Sequence, residues 1–225
     1  MKKTLLISLF TMLLAMPMLA QPGYPYGGRP RVQTVGRHGN EYVAWHSYYF
    51  GLRVGMNASH VSSESHLLNG SSPKTGLNIG FAAGTQLTYR APLFLESGLY
   101  YSQKGGKGGS DNSRFTYDLN YLEVPLIIKY KHFVGNQTSI QPYAGGYLAI
   151  GTDGDIKNYG TRTAFSSYDD GYFNRFDGGL KIGCGVGFNM LYVDASYDIG
   201  LSNIGQSDFD DTHNGCFTIN VGVNF

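Results

Sequence analysis

The chain has 225 residues with 17 Lys and Arg against 16 Asp and Glu, and it is rich in Gly (32) and Tyr (18) while only 15% charged. A near-neutral chain without a basic patch excludes nucleic acid as a partner recognised by charge, and the length suits one domain. Two cysteines supply no disulfide framework, even on an oxidising export route.

From the N-terminus, Lys2 and Lys3 precede an apolar run, Leu5 to Leu14, and Ala20 stands before Gln21. This is the pattern of a secretory signal over residues 1–20, cleaved on export. An uncleaved helical anchor fits less well, because the run is shorter than the roughly 20 residues a spanning helix needs and Pro17 interrupts its end. Met18 occupies the position three residues before the cut, where a small residue is preferred, so export is better marked than the cut itself. Residues 21–48 contain Pro22-Gly-Tyr-Pro-Tyr-Gly-Gly-Arg-Pro-Arg31. That density of Pro, Gly and Arg cannot bury a core, and it predicts a disordered periplasmic leader.

Everything after the leader alternates. The last ten residues put Phe217, Ile219, Val221, Val223 and Phe225 on one face and Thr218, Asn220, Gly222 and Asn224 on the other. A tilted strand of this length crosses a hydrocarbon core. Seven more such segments are predicted, at 49–60, 76–89, 92–104, 118–131, 139–151, 176–189 and 190–201, the last strand covering 216–225. The connections alternate: long at 61–75, 105–117, 152–175 and 202–215, short at Arg90-Ala91, at His132 to Thr138 and at Asn189-Met190. Short periplasmic turns and long outer loops are the pattern of outer-membrane barrels, in which an even strand count leaves both termini in the periplasm. The fold class predicted is therefore all-β, an eight-stranded antiparallel up-and-down transmembrane barrel over residues 49–225.

One face of these strands is continuously apolar: Phe50, Leu52, Val54 and Met56; Leu77, Ile79, Phe81 and Leu87; Leu122, Val124, Leu126 and Ile128; Leu180, Ile182, Val186 and Phe188. The other is small and polar, with charges of both signs: Arg53, Lys129 and Lys181 against Glu96, Glu123, Asp194 and Asp198. A soluble barrel would turn the apolar face inward and show the Gly-rich face to water, which a water-facing surface rarely resembles. Turned outward to lipid, the apolar face leaves those seven charges to form a nearly balanced network in a narrow lumen, whereas a Lys or Arg facing lipid costs about 2–4 kcal/mol near the midplane. Glu123 and Lys129 are expected to share this network with Arg53, Glu96 and Lys181. Pro125, inside the fourth strand, removes a ladder donor and predicts a bulge. Cys184 lies on the apolar face and Cys216 on the polar face of another strand, which argues against a disulfide. Tyr48, Tyr49, Tyr89, Tyr100, Tyr101, Tyr130, Tyr143 and Phe225 fall near strand ends and suit interfacial girdles.

The run Tyr121-Leu-Glu-Val-Pro-Leu-Ile-Ile-Lys-Tyr130, followed by Gln141-Pro-Tyr-Ala-Gly-Gly-Tyr-Leu148 and the Gly-rich sixth strand, resembles the "porin family" outer-membrane β-barrel domain of Bacteroidota, the PorT-like group. The resemblance covers about Tyr49 to Phe225. It implies an outer-membrane location and no uniform activity, and it offers no catalytic residues to carry over.

For chemistry the chain offers little. Eight strands enclose an interior just wide enough for side chains, so a general pore is disfavoured and a narrow or gated channel is the alternative. An outer-membrane hydrolase or acyltransferase would need a base, and His60, His66, His132 and His213 are the candidates outside the leader. Ser59, Ser62, Ser63 and Ser65 stand near the first two, but no strained Gly-x-Ser-x-Gly turn accompanies them. Asp153 with Asp155, Asp169 with Asp170, and Asp208 with Asp210 and Asp211 gather in the last two outer loops without the spacing of a calcium loop, and solvated loop charge is the simpler reading. Lys104-Gly-Gly-Lys-Gly-Gly109 has no helix after it and is no phosphate loop. The expectation is a non-enzymatic barrel with no catalytic residues, cofactor or metal. Its partners would be outer-membrane lipid and lipopolysaccharide, and a ligand met by the loops.

Overall fold

The computed structural model describes residues 48–63, 72–88, 91–110, 113–134, 137–158, 163–168, 173–205 and 212–225. The signal, the leader as far as residue 47, His66, Tyr89 and the carboxylates of residues 169, 170, 208, 210 and 211 lie outside them. The strands in chain order are β1 (Tyr48–Ser63), β2 (Ser72–Gln86), β3 (Leu93–Ser110), β4 (Ser113–Tyr130), β5 (His132–Val134), β6 (Thr138–Asp153), β7 (Asp155–Asn158), β8 (Thr163–Ser166), β9 (Phe176–Phe188), β10 (Leu191–Gly200) and β11 (Thr212–Asn224).

Eight of them close on themselves in the order β1-β2-β3-β4-β6-β9-β10-β11. The last pairing, β11 to β1, runs from Gly51 opposite Asn224 to Ser63 opposite Thr212, and β4 pairs directly with β6. Every neighbour is antiparallel, so the strand-edge donors and acceptors that could not be left bare in lipid are paired around the ring. The short turns lie at one end together with Tyr48 and Phe225. There Phe50 and Phe225 exchange two backbone hydrogen bonds, of 3.1 and 2.7 Å. The β9–β10 turn is the two residues Asn189-Met190, and Asn189 has φ 52°, a left-handed conformation that Asn tolerates and two-residue hairpins require.

The apolar residues of the alternation face outward: Leu52, Val54, Met56, Leu126, Ile182, Val193 and Val221 are all exposed, and together they girdle the barrel. Their inward neighbours Gly51, Arg53, Asn57, Glu123 and Asp194 are buried.

Three features depart from the sequence reading. The expected loop 105–117 is mostly strand: β3 and β4 remain paired up to Ser110 opposite Ser113. Gly is depleted from strands, which makes this segment read as loop, but here the glycines make room. A Cβ on Gly106 would lie 2.2 Å from the Tyr117 hydroxyl, and Gly105, at φ 136°, packs on the Tyr117 carbonyl. The expected loop 152–175 is partly a hairpin, β7–β8, hung on the top of β4 with Tyr117 opposite Ile156. Pro125 makes no bulge. It holds its register with Tyr147 of β6, the ladder to β3 skips Pro125 and Val124 and resumes in the same register, and the Ser97 hydroxyl donates to the Pro125 carbonyl at 2.8 Å. The register shifts fall instead between Pro73 and Asn78 and between Asn120 and Tyr121.

Above Leu122 the polarity of β4 inverts. Below this level the outward residues are Leu122, Val124, Leu126 and Ile128 and the inward ones include Glu123 and Lys129. Above it Asp118 and Asn120 face out, while Tyr117 and Leu119 are fully buried inside.

Candidate functional site

The lumen is filled in three layers. Nearest the short turns, Lys129 Nζ sits 2.7 Å from Glu96 Oε2 and donates to the Tyr192 hydroxyl at 3.0 Å, while the Tyr49 hydroxyl donates to the same Glu96 oxygen. Arg53 stacks its guanidinium 4.1 Å from the centre of the Tyr192 ring and donates to Asn224 Oδ1 at 2.6 Å. The Tyr143 hydroxyl donates to Asp194 Oδ2. At the mouth below, Lys131 holds its ammonium 3.6 Å from the Tyr49 ring centre and 4.0 Å from that of Phe94.

The middle layer is a closed ring of four charges. Lys104 contacts Glu123 Oε2 at 2.9 Å and Asp198 Oδ2 at 3.1 Å, and Lys181 contacts Glu123 Oε1 at 3.0 Å and Asp198 Oδ1 at 2.5 Å. Each cation touches both anions, so each carboxylate oxygen meets its own ammonium. Such alternation is the arrangement in which attraction best offsets the cost of taking four ions out of water. Lys104 also lies 4.4 Å from the Tyr147 ring centre.

The third layer is apolar. Tyr117, Leu119, Tyr121, Tyr147, Tyr168, Phe173 and Ile204 form a cluster across the top of the lumen. Tyr117 stacks on Phe173 at 5.5 Å between ring centres, and Tyr121 meets Tyr168 edge-on at 6.3 Å. Tyr168, after β8, and Phe173, before β9, lie over the mouth together with β7 and β8, and these described residues form a lid. It is tied down by Ser167, whose hydroxyl donates to the Asp118 carbonyl at 2.8 Å, and by the Gly151 amide, which donates to the Arg175 carbonyl at 2.6 Å. Just beneath, Asp177 accepts from Asn214 Nδ2 at 2.8 Å and from the Tyr147 hydroxyl at 3.3 Å.

The structure thus places Glu96, Lys129, Arg53 and Asp194 in the lower layer and Glu123, Lys181 and Asp198 in the ring. Glu123 and Lys129 take different partners. The sequence reading missed Lys104, because it was the last residue before a supposed loop, and Asp177, which sits at a strand start. Inward parity carried along β3 and β9 would have found both. Tyr49 and Tyr143 are buried in the lumen and Tyr100 borders a cavity there, whereas Tyr48, Tyr130 and Phe225 remain exposed at the short-turn end. The girdle reading therefore fails for the first three, since it took position along the strand into account and not parity.

Of the residues considered for hydrolysis, Ser59 donates to the carbonyls of Lys74 and Gly105 at 3.3 and 2.9 Å, and His60 lies against the Tyr197 ring. His213 Nδ1 is 3.1 Å from the Ser202 carbonyl. Asp153 accepts from Asn120 at 3.0 Å, and Asp155 lies 4.0 Å from Lys157. Cys184 is exposed, Cys216 is buried and neither forms a disulfide.

Residues 37–206 match the family described as outer membrane protein beta-barrel domain. The chain belongs to that family. Outer-membrane barrels in general place their short turns in the periplasm and their long connections outside. Among solved structures, the chain is similar to Ail, the attachment invasion locus protein of Yersinia pestis, in complex with the heparin analogue sucrose octasulfate. The identity is 16% and the TM-score 0.42, covering 79% of this chain and 99% of that one. Neisserial surface protein A is 16% identical with a TM-score of 0.43, over 81% of this chain and 100% of that one. OprG from Pseudomonas aeruginosa is 12% identical with a TM-score of 0.39, over 79% and 95%. No curated protein matches the chain.

Proposed function

We propose that this barrel is a non-enzymatic outer-membrane protein that acts as a structural element of the membrane and through contacts made by its outer surface. In this reading the signal over residues 1–20 directs export and is removed, residues 21–48 form a periplasmic leader, and the apolar belt meets membrane lipid and lipopolysaccharide. The PorT-like motifs around Tyr121–Tyr130 agree with it. The observation that carries the reading is the filling of the lumen. A solute would have to part the Glu96–Lys129 pair, then the ring of Lys104, Glu123, Lys181 and Asp198, then the aromatic layer under the lid. An interior of eight strands has no room to move these groups aside. The lumen residues then serve stability, and the outer connections serve contact.

A narrow or gated channel is the competing role, and a planar bilayer separates the two. The purified barrel should show no steady conductance, and liposomes containing it should retain small solutes. Steady, solute-sized conductance would replace the structural reading with the channel. A hydrolase or acyltransferase role is the weakest of the three, because Ser59 and His60 face different partners.

A further inference from the structure

Between the lower layer and the ring lies a cavity of about 30 Å³ bordered by Arg53, Glu96, Glu123, Lys181, Asp194 and Ser196. Asp194 is 7% exposed. Its Oδ2 accepts from Tyr143, but its Oδ1 is buried with no hydrogen-bond partner among the described residues. A carboxylate oxygen in that position is costly unless something donates to it.

The charges around the cavity select the guest. Lys181 is held by Glu123 and Asp198, and Glu96 by Lys129 and Tyr49. What remains is one guanidinium and one carboxylate. Arg53, with five donors, directs three contacts to the Leu52 carbonyl, the Val223 carbonyl and Asn224. No ion pair joins it to Asp194 among the described residues. A metal cation drawn to Asp194 would sit beside the positive charges of Arg53 and Lys181, and an anion would meet three carboxylates. A neutral molecule that both accepts and donates suits both. The volume admits about two waters, at roughly 10–15 Å³ each on this measure.

We infer that this cavity is a buried water site, in which about two ordered waters donate to Asp194 Oδ1, accept from Arg53 and couple the two residues as a water-mediated pair. The site rests on the closed lumen proposed above, and the two fail separately: steady bilayer conductance would defeat the closed lumen, whereas absence of long-lived water in a non-conducting barrel would defeat this site alone. Ser196 and Asn220 complete its polar wall, and the Asn220 side-chain oxygen already accepts from Asn78 Nδ2 at 2.8 Å.

The test is water-to-protein magnetisation transfer by NMR on the folded full-length barrel in detergent micelles, read at the side-chain amides of Asn78 and Asn220. The wild-type protein should show cross-peaks from long-lived water at both. Ser196→Leu, which fills the cavity, should abolish them, and Ser196→Ala, which enlarges it, should keep them. Should Ser196→Leu not fold, the wild-type and Ser196→Ala spectra decide. Their cross-peaks support the site. The inference is overturned if the wild-type spectrum lacks them, or if folded Ser196→Leu retains them. It is likewise overturned if the Asn78 and Asn220 signals shift to saturation with added Na⁺ or K⁺ but not with choline, since a bound cation would then be the occupant.

Discussion

Replacing Lys104 with Met is the most direct test of the four-charge ring. The side chain is almost fully buried, at 1% exposure, and lies 2.9 and 3.1 Å from its two carboxylates. At an effective dielectric of about 20, each contact is worth roughly 5 kcal/mol of gross attraction, so about 10 kcal/mol of it is lost. Removing the ammonium also relieves its own desolvation, several kcal/mol, and the net cost of breaking a buried pair is about 3–5 kcal/mol. Met is close in volume and adds no cavity term, so the loss is electrostatic. Glu123 and Asp198 are then left with Lys181 alone, one negative charge in excess. The double variant Lys104→Met with Glu123→Gln restores one anion to one cation and should recover most of the loss. The assay is equilibrium urea unfolding in lipid vesicles, followed by the gel shift between folded and heat-denatured barrel. A single variant within about 1 kcal/mol of wild type, or a double variant no better than the single, would refute the view that the ring is held by charge complementarity.

Four further outcomes follow from the same geometry. Glu123→Leu leaves Lys104 and Lys181 sharing only Asp198, and unfolding by urea should show a loss of about 3–5 kcal/mol. Val54→Arg puts a cation on the lipid-facing belt and should cost about 2–4 kcal/mol in the same titration if that face meets hydrocarbon; a neutral result would place the face elsewhere. Tyr49→Phe removes a donor to the ionised Glu96 and should cost about 1.5–3 kcal/mol, measurable as a lower urea midpoint. Phe173→Ala opens a cavity beneath the lid and should cost about 3–5 kcal/mol where the lid unfolds together with the barrel. Bilayer current should nevertheless stay at baseline, because the ring beneath remains closed.

Much of the architecture is legible in the chain. Alternation such as Phe217 to Phe225 states which side chains share a face, and lipid-facing strands cannot tolerate the opposite assignment. Connection lengths mark the ends. What alternation cannot state is which inward charge meets which. Glu123 and Lys129 are three inward positions apart on one strand, and their partners depend on the stagger of the strands around the ring, which joins Glu123 to Lys104 and Lys181 and Lys129 to Glu96. The upper wall was hidden for another reason. Gly105 and Gly106 read as loop because propensity penalises glycine in strands, yet the Tyr117 ring and carbonyl occupy the space their side chains would need. Tertiary packing overrides the local preference there. The lid escaped for a related cause: its strands β7 and β8 are four residues each, too short for a period to be recognised.

The inversion of polarity on β4 works as a depth gauge. Between Asn120 and Leu122 the outward side chains change from polar to apolar, while the inward ones change from the aromatic roof to the charged ring. Sliding the barrel upward by one inward-outward repeat would lift Leu122 into water, and sliding it downward would press Asp118 and Asn120 into hydrocarbon. Either shift incurs a mismatch cost, paid by tilting or by thinning the bilayer. The molecule therefore carries its own waterline, and the nine residues from Leu122 to Tyr130 on β4, at roughly 3.4 Å each and tilted about 45°, span about 20 Å. That height suits the thin hydrocarbon layer of a bacterial outer membrane better than a thicker bilayer, so its fit to one membrane over another is set by the same alternation that closes its lumen.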